Sequence, residues 1–197
     1  PIELLIRNTI LESGDPLGFM DDEFKPNIDF PVIFSSISPS LVTHIGNPEK
    51  FFFGGVNLQH ISEIQFSRNL LLSTEFNARV YGDFDNTISG PGSIMEHVRT
   101  DLVEYLKEDD IVISRMQLDY VWSPRKDTYA KLSTGIYETM FAGYGIETLY
   151  KPFGKNYSLG FELFHVKQRS FDQRFSFKDY GTVTGHLNFG YSLPLGI

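Results

Sequence analysis

Residues 157–193 read YSLGFELFHVKQRSFDQRFSFKDYGTVTGHLNFGYSL, and the fold turns on how they alternate. Val183, Leu187, Phe189, Tyr191 and Leu193 hold odd positions, with Gly185 among them. Thr182, Thr184, His186, Asn188, Gly190 and Ser192 hold the even ones. Tyr157, Leu159, Phe161 and Leu163 alternate in the same way with Ser158, Gly160 and Glu162. Successive side chains of a strand point to opposite faces, so this pattern predicts two long strands, each with one apolar and one polar face. The intervening run, Lys167 to Arg174, is too polar for a core and too aromatic for a plain linker. What the apolar face touches, a second sheet or lipid, decides the class of protein.

The same alternation extends upstream. Strand 52–66 sets Val56, Leu58, Ile64 and Phe66 against Asn57, Gln59, Glu63 and Gln65, with His60 and Ser62 interrupting its apolar face. Strand 70–82 sets Leu70, Leu72, Phe76, Ala78 and Val80 against Ser73, Glu75, Asn77, Arg79 and Tyr81. Strands follow at 111–122, 128–140 and 145–152, the last turning at Gly154-Lys155-Asn156 into the opening pair. Residues 1–50 read as an irregular connecting segment, with candidate strands at 2–11 and 41–45. Gly14-Asp15-Pro16 breaks the first, and Pro26 and Pro31 argue against ladder pairing nearby.

Three features favour lipid. The links alternate in length: 67–69, 83–110, 123–127, 141–144, 153–156 and 168–180, as tight turns and larger outer loops do in an up-and-down membrane barrel. The polar faces carry Glu63, Glu75, Arg79, Arg115, Asp119, Lys131, Glu162 and His186 among small residues, which suits a water-filled lumen. Aromatics end several strands (Tyr120, Trp122, Tyr150, Tyr157, Tyr191), as expected at a membrane interface. About ten residues at ~3.3 Å, tilted by about 40°, span roughly the 25 Å of a lipid-facing band. The predicted fold is an all-β, antiparallel up-and-down transmembrane β-barrel. It is partial, with seven strands over 51–197, an eighth if 41–45 is counted, and one short loop helix.

Composition narrows the chemistry. A net charge of −8 disfavours nucleic acid as a partner. The absence of cysteine removes disulfides, thiolate metal sites and cysteine nucleophiles. No apolar run approaches the ~18 residues of a membrane helix. The 18 Phe, 10 Tyr and 17 Gly suit strands, girdles and turns better than helices. Opening at Pro1 without a leader, the chain reads as processed or as a piece of something longer.

No catalytic constellation emerges. His44, His60, His97, His165 and His186 lack metal-motif spacing, and no nucleophile elbow, phosphate loop or dinucleotide fingerprint occurs. Asp21, Asp22 and Glu23 lack the ligand spacing of a calcium loop, so a solvated turn is the simpler reading. Gly143-Tyr144-Gly145 reads as a bend or a close approach in a sheet. No cofactor, metal or enzymatic activity is expected.

The best candidate site is the loop 167–180, with Lys167, Arg169, Phe171, Asp172 and Arg174 as polysaccharide contacts. Cations and aromatics interleave there as in sugar-binding surfaces. The alternative is a loop that satisfies its own charges and packs inside a barrel mouth. The helical piece before it, with Thr100 as cap and Leu102, Val103 and Leu106 as a buried stripe, suits loop packing.

Three stretches carry a family resemblance: HVRTDLVEYL (97–106), YETMFAGYGIETLYKP (137–152) and VKQRSFDQRF (166–175), the last continuing to Asp179-Tyr180 and Thr184-Gly185-His186. Together they resemble the YjbH-like exopolysaccharide biosynthesis proteins of Gram-negative bacteria. The resemblance implies an outer-membrane β-barrel, often a lipoprotein, tied to export of extracellular or capsular polysaccharide, and it supplies no catalytic residues. It also implies a longer protein, so the expected partners are polysaccharide, outer-membrane lipid, and either other export proteins or the rest of the same chain. The rival expectation is a soluble carbohydrate-binding β-sandwich, whose apolar faces meet each other.

Overall fold

The computed structural model describes residues 28–45, 51–86, 101–107 and 111–193. The proposed strand 2–11, the acidic trio Asp21, Asp22 and Glu23, and the cap residue Thr100 lie outside them. Eight strands form a single antiparallel sheet in sequence order. They are β1 (Val32–Ile45), β2 (Phe52–Gln65), β3 (Leu70–Gly82), β4 (Val112–Arg125), β5 (Thr128–Ile136), β6 (Phe141–Tyr150), β7 (Tyr157–Arg169) and β8 (Phe177–Tyr191). A 3-10 turn, Phe84–Asn86, and a short helix, α1 (Leu102–Leu106), lie between β3 and β4. The expected up-and-down order is present, but the sheet is not closed: β1 and β8 are its two edges.

Alternation set the faces as predicted along most of the strands, but bulges shift it near two strand ends. Tyr81, expected on the polar face, pairs with Val56 of the apolar face, and Val112 pairs with Asn77 of the polar face while Ile113 pairs with Phe76. Transverse rows such as Ile146↔Leu163 and Glu147↔Glu162 keep like with like across neighbouring strands. On the apolar face Tyr144, Leu159, Leu163, Val183 and Phe189 are exposed, and Leu187 retains 84% of its accessible surface. A patch of this face is internally packed, where Ile113, Ile136 and Ala142 lie buried against Phe76 and Met116. The His60 side chain finds a partner of its own, and Ser62 receives a bond at its backbone carbonyl. His60 Nε2 meets Ser35 Oγ at 2.8 Å, and the Ser62 carbonyl accepts from Thr74 Oγ1 at 3.5 Å.

Three boundaries differ from the expectation. The sheet begins at Val32 rather than at residue 51, because β1 pairs along its whole length with β2, from Val32↔Gln65 to Ile45↔Phe52. Serines at 35, 36, 38 and 40 hide its alternation, and Pro39 is tolerated because an edge strand has one unpaired row of backbone groups. Second, 141–144 is the start of β6 and not a loop. Gly143 lies so close to β7 that a Cβ there would sit 2.0 Å from the His165 carbonyl oxygen. At Gly145 the missing side chain leaves room for the Phe164 ring, which a Cβ would meet at 2.1 Å. Third, the links contract. β4 and β5 are joined at Lys126 and Asp127, with Asp127 in the left-handed region at φ 63°, and the loop after β7 spans only 170–176.

One end of the sheet carries a second core. Tyr105 of α1, Met140, Phe141 and Val166 are buried together, with Leu102, Tyr137, Phe164, Phe171 and Tyr180 packed around them. The helix thus buries Tyr105, while Leu102, Val103 and Leu106 are only partly covered. The cluster joins the β3–β4, β5–β6 and β7–β8 connections into one cap.

Candidate functional site

Arg169, the last residue of β7, organises the cap. It has no exposed surface, and its guanidinium donates to the carbonyls of Ile113 (2.8 Å), Glu138 (3.2 Å), Thr139 (2.9 Å), Arg174 (3.0 Å) and Gln173. These acceptors belong to the approach to β5–β6, the start of β4 and the loop after β7. A planar, always-charged fork with five donors is the side chain suited to so many acceptors. A fully buried side chain is not a polymer contact, and Arg169 is therefore removed from the candidate surface.

The remaining loop residues are largely engaged with each other. Both Asp172 carboxylate oxygens accept from Ser176 Oγ at 3.0 Å, and Oδ1 also accepts from the Arg174 backbone N–H at 3.3 Å. Phe171 meets the Tyr105 ring edge-on at 5.2 Å, and Lys178 Nζ stands 3.7 Å above its centroid. The Tyr105 hydroxyl donates to the Arg169 carbonyl, and Gln173 Nε2 donates to the Tyr105 carbonyl at 2.8 Å. Burial raises the Tyr105 pKa. Lys167 and Arg174 remain exposed at the rim.

Asp101, just before α1, clamps the helix to the hairpin. It accepts from Gln168 Nε2 and from Lys178 Nζ, each at 3.0 Å. Burial raises its pKa, but those two hydrogen bonds and the Lys178 charge outweigh it and hold the carboxyl below its ordinary value. Asp101 stands at the N-cap of the helix without a side-chain cap bond.

The polar face beneath the cap carries most of the other candidates. Glu147 and Glu162 share a register row with Lys131 on one side and His186 on the other. Lys131 Nζ lies 2.6 Å from Glu147, and His186 Nδ1 lies 2.6 Å from Glu162. On β4, Arg115 donates to Gln117 Oε1 at 2.8 Å, and Gln117 Nε2 donates to Asp119 at 2.7 Å. Glu75 accepts from Gln59 and Asn77. Arg79 donates to the Leu106 and Lys107 carbonyls and lies 5.3 Å from the Phe84 centroid, so it holds α1 across this face. Glu63 is exposed on the same face, paired in register with Ser73.

Two open clefts divide this face, one of about 480 Å³ beside Arg115, Lys131 and Tyr137, the other of about 430 Å³ beside Lys131, Glu162 and Asn188. Solvated charges of both signs line the clefts of this face. The opposite face bears bare apolar side chains around an apolar groove of about 660 Å³ beside Leu118, Leu132, Tyr144 and Leu163. The charged side suits binding or passage of a hydrophilic solute. No trio of acidic or histidine side chains is placed to hold a metal among the described residues.

Tyr105, Gln168, Gln173 and Glu147 carry much of this geometry and were not singled out from sequence. Only Glu147 had a readable signal, its place opposite Lys131 on adjacent polar faces. The other three act across more than sixty positions of chain, as the separation of 64 between Tyr105 and Arg169 illustrates.

A family model described as "Exopolysaccharide biosynthesis protein YbjH" matches residues 24–197. The "Uncharacterized lipoprotein YjbH" of Escherichia coli (strain K12) is 31% identical over 157 residues, which cover 77% of this chain and 22% of that protein. The chain therefore spans about a fifth of the length of the curated relative it matches. No solved structure matches.

Proposed function

This chain belongs to the YjbH family of exopolysaccharide biosynthesis proteins, and from that premise we propose that its strands form part of an outer-membrane β-barrel supporting polysaccharide secretion. The observation that carries the reading is the contrast between the two faces of one sheet. The apolar face exposes residues such as Ile37, Leu41, Tyr144, Leu187 and Phe189, while the opposite face carries ion pairs, amides and the loop cap. A soluble sandwich buries such a face against a second sheet, and the described residues form one sheet only. Lipid accepts the apolar face directly, and the polar face then lines an aqueous passage.

In this reading the open edges at β1 and β8 are paired by further strands, from the rest of the protein or from a partner in export, because an unpaired edge is not tolerated in hydrocarbon. The role is passage or binding without catalysis. The relative's description as a lipoprotein agrees with a membrane location.

Reconstitution in lipid tests the reading. The expected result is insertion that resists salt and alkali, a conductance, and binding of polysaccharide. A chain that is soluble and monodisperse without detergent would sink it.

A further inference from the structure

A third cleft, of about 220 Å³, lies where α1 crosses the polar face, walled by Phe84 and Tyr105. Its polar lining includes Asn57, Gln59, Glu75 and Asn77. Gln59 Nε2 and Asn77 Nδ2 donate to the same oxygen of Glu75, Oε1, at 2.8 and 2.9 Å. These two bonds fix the carboxylate and leave Oε2 with its acceptor capacity. Asn77 is itself tied to Ser114 Oγ at 2.7 Å, so the arrangement is braced from β4. The second acceptor is Asn57 Oδ1, the one buried side-chain polar atom without a hydrogen-bond partner among the described residues. A buried acceptor left unpaired is unfavourable until a donor reaches it.

Glu75 Oε2 and Asn57 Oδ1 are therefore two acceptors with unused capacity at the cleft. Its cation, Arg79, is committed to the carbonyls that end α1 and to the Phe84 ring. An anionic group would meet Glu75 without a free countercharge. A ligand carrying several hydroxyl or amine donors and no negative charge fits best.

We propose that this cleft is a subsite for a hydroxyl-rich sugar unit without negative charge, with Glu75 and Asn57 accepting its donors and α1 lying over it. The proposal rests on the reading of the polar face as a polysaccharide passage, and it names the chemical class of polymer handled there.

The test uses the lipid-reconstituted protein and three probe sets: neutral glucose, galactose and mannose oligomers, oligogalacturonates, and glucosamine oligomers. The neutral or the glucosamine oligomers bind, the oligogalacturonates do not compete, and Glu75→Gln and Asn57→Ala each weaken binding about tenfold. Glu75→Gln keeps an acceptor oxygen for Gln59 and Asn77, so it separates ligand contact from folding. Insertion and conductance are recorded on the same vesicles. If both hold while no probe binds, only oligogalacturonates bind, or either variant binds normally, the subsite is wrong and the passage stands. If insertion and conductance fail, the passage reading fails with it.

Discussion

The cap and the apolar face use the same aromatic and aliphatic residue types and treat them oppositely. In the cap, Tyr105, Phe141, Phe171 and Tyr180 cover one another, and their polar neighbours are drawn into hydrogen bonds. On the apolar face Tyr120, Tyr144, Leu159, Leu163 and Tyr191 stand side by side in strict alternation and stay uncovered. The cap is an interior that the chain builds for itself. The apolar face is an interior that the surroundings must supply. Hydrophobicity alone does not separate them; the period of the pattern does.

Breaking the cap should have the largest effect. Arg169→Ala strands five carbonyl acceptors gathered by one side chain, and we expect a loss of about 3–5 kcal/mol. Denaturant unfolding of the detergent-solubilised protein measures it, with strand content by circular dichroism unchanged in the absence of denaturant. Arg169→Lys should recover little of the loss, because one ammonium cannot reproduce a planar fork.

The apolar face is challenged by a charge at its centre. Leu163→Arg should cost about 2–4 kcal/mol of membrane stability if that residue faces the bilayer midplane. Glu162→Arg, one position away on the other face, should cost far less. Equal effects at 162 and 163 would erase the distinction between the faces.

A pH prediction sharpens the cap further. The Asp101 carboxyl has a folded pKa depressed below the ordinary 3.8, so its contribution is fully present above that value. It is lost as pH falls through the folded value. Hydrogen exchange at Tyr105 and Gln173 should therefore accelerate below about pH 3.8, and Asp101→Asn should flatten that dependence. The smallest effect belongs to the polar face. Lys131 and Glu147 each keep about a third of their side-chain surface, so a double-mutant cycle should return only about 0.2–1 kcal/mol.

The sheet was legible where alternation was unbroken. β2, β3 and β7 could be read nearly to their ends because apolar and polar residues exchange along most of their length, while the start of β8, from Phe177, was read as loop. β1 was hidden by its serines, and β6 was shortened because Gly143 looked like a bend while serving as a close approach to β7. In the candidate site, the row of Lys131, Glu162 and His186 followed from face assignment, which local sequence controls. The role of Arg169 did not. Whether an arginine in a charged loop meets solvent or five distant carbonyls depends on where three connections converge, and no local period encodes that.

The most direct test of the central contrast is site-directed spin labelling along β7. The chain has no cysteine, so single substitutions at Ser158, Leu159, Gly160, Phe161, Glu162 and Leu163 label without background. In the lipid-reconstituted protein, labels at 159, 161 and 163 should be accessible to oxygen, and those at 158, 160 and 162 to a water-soluble nickel complex. Oxygen-poor or nickel-accessible labels at 159, 161 and 163 would contradict a lipid-facing sheet.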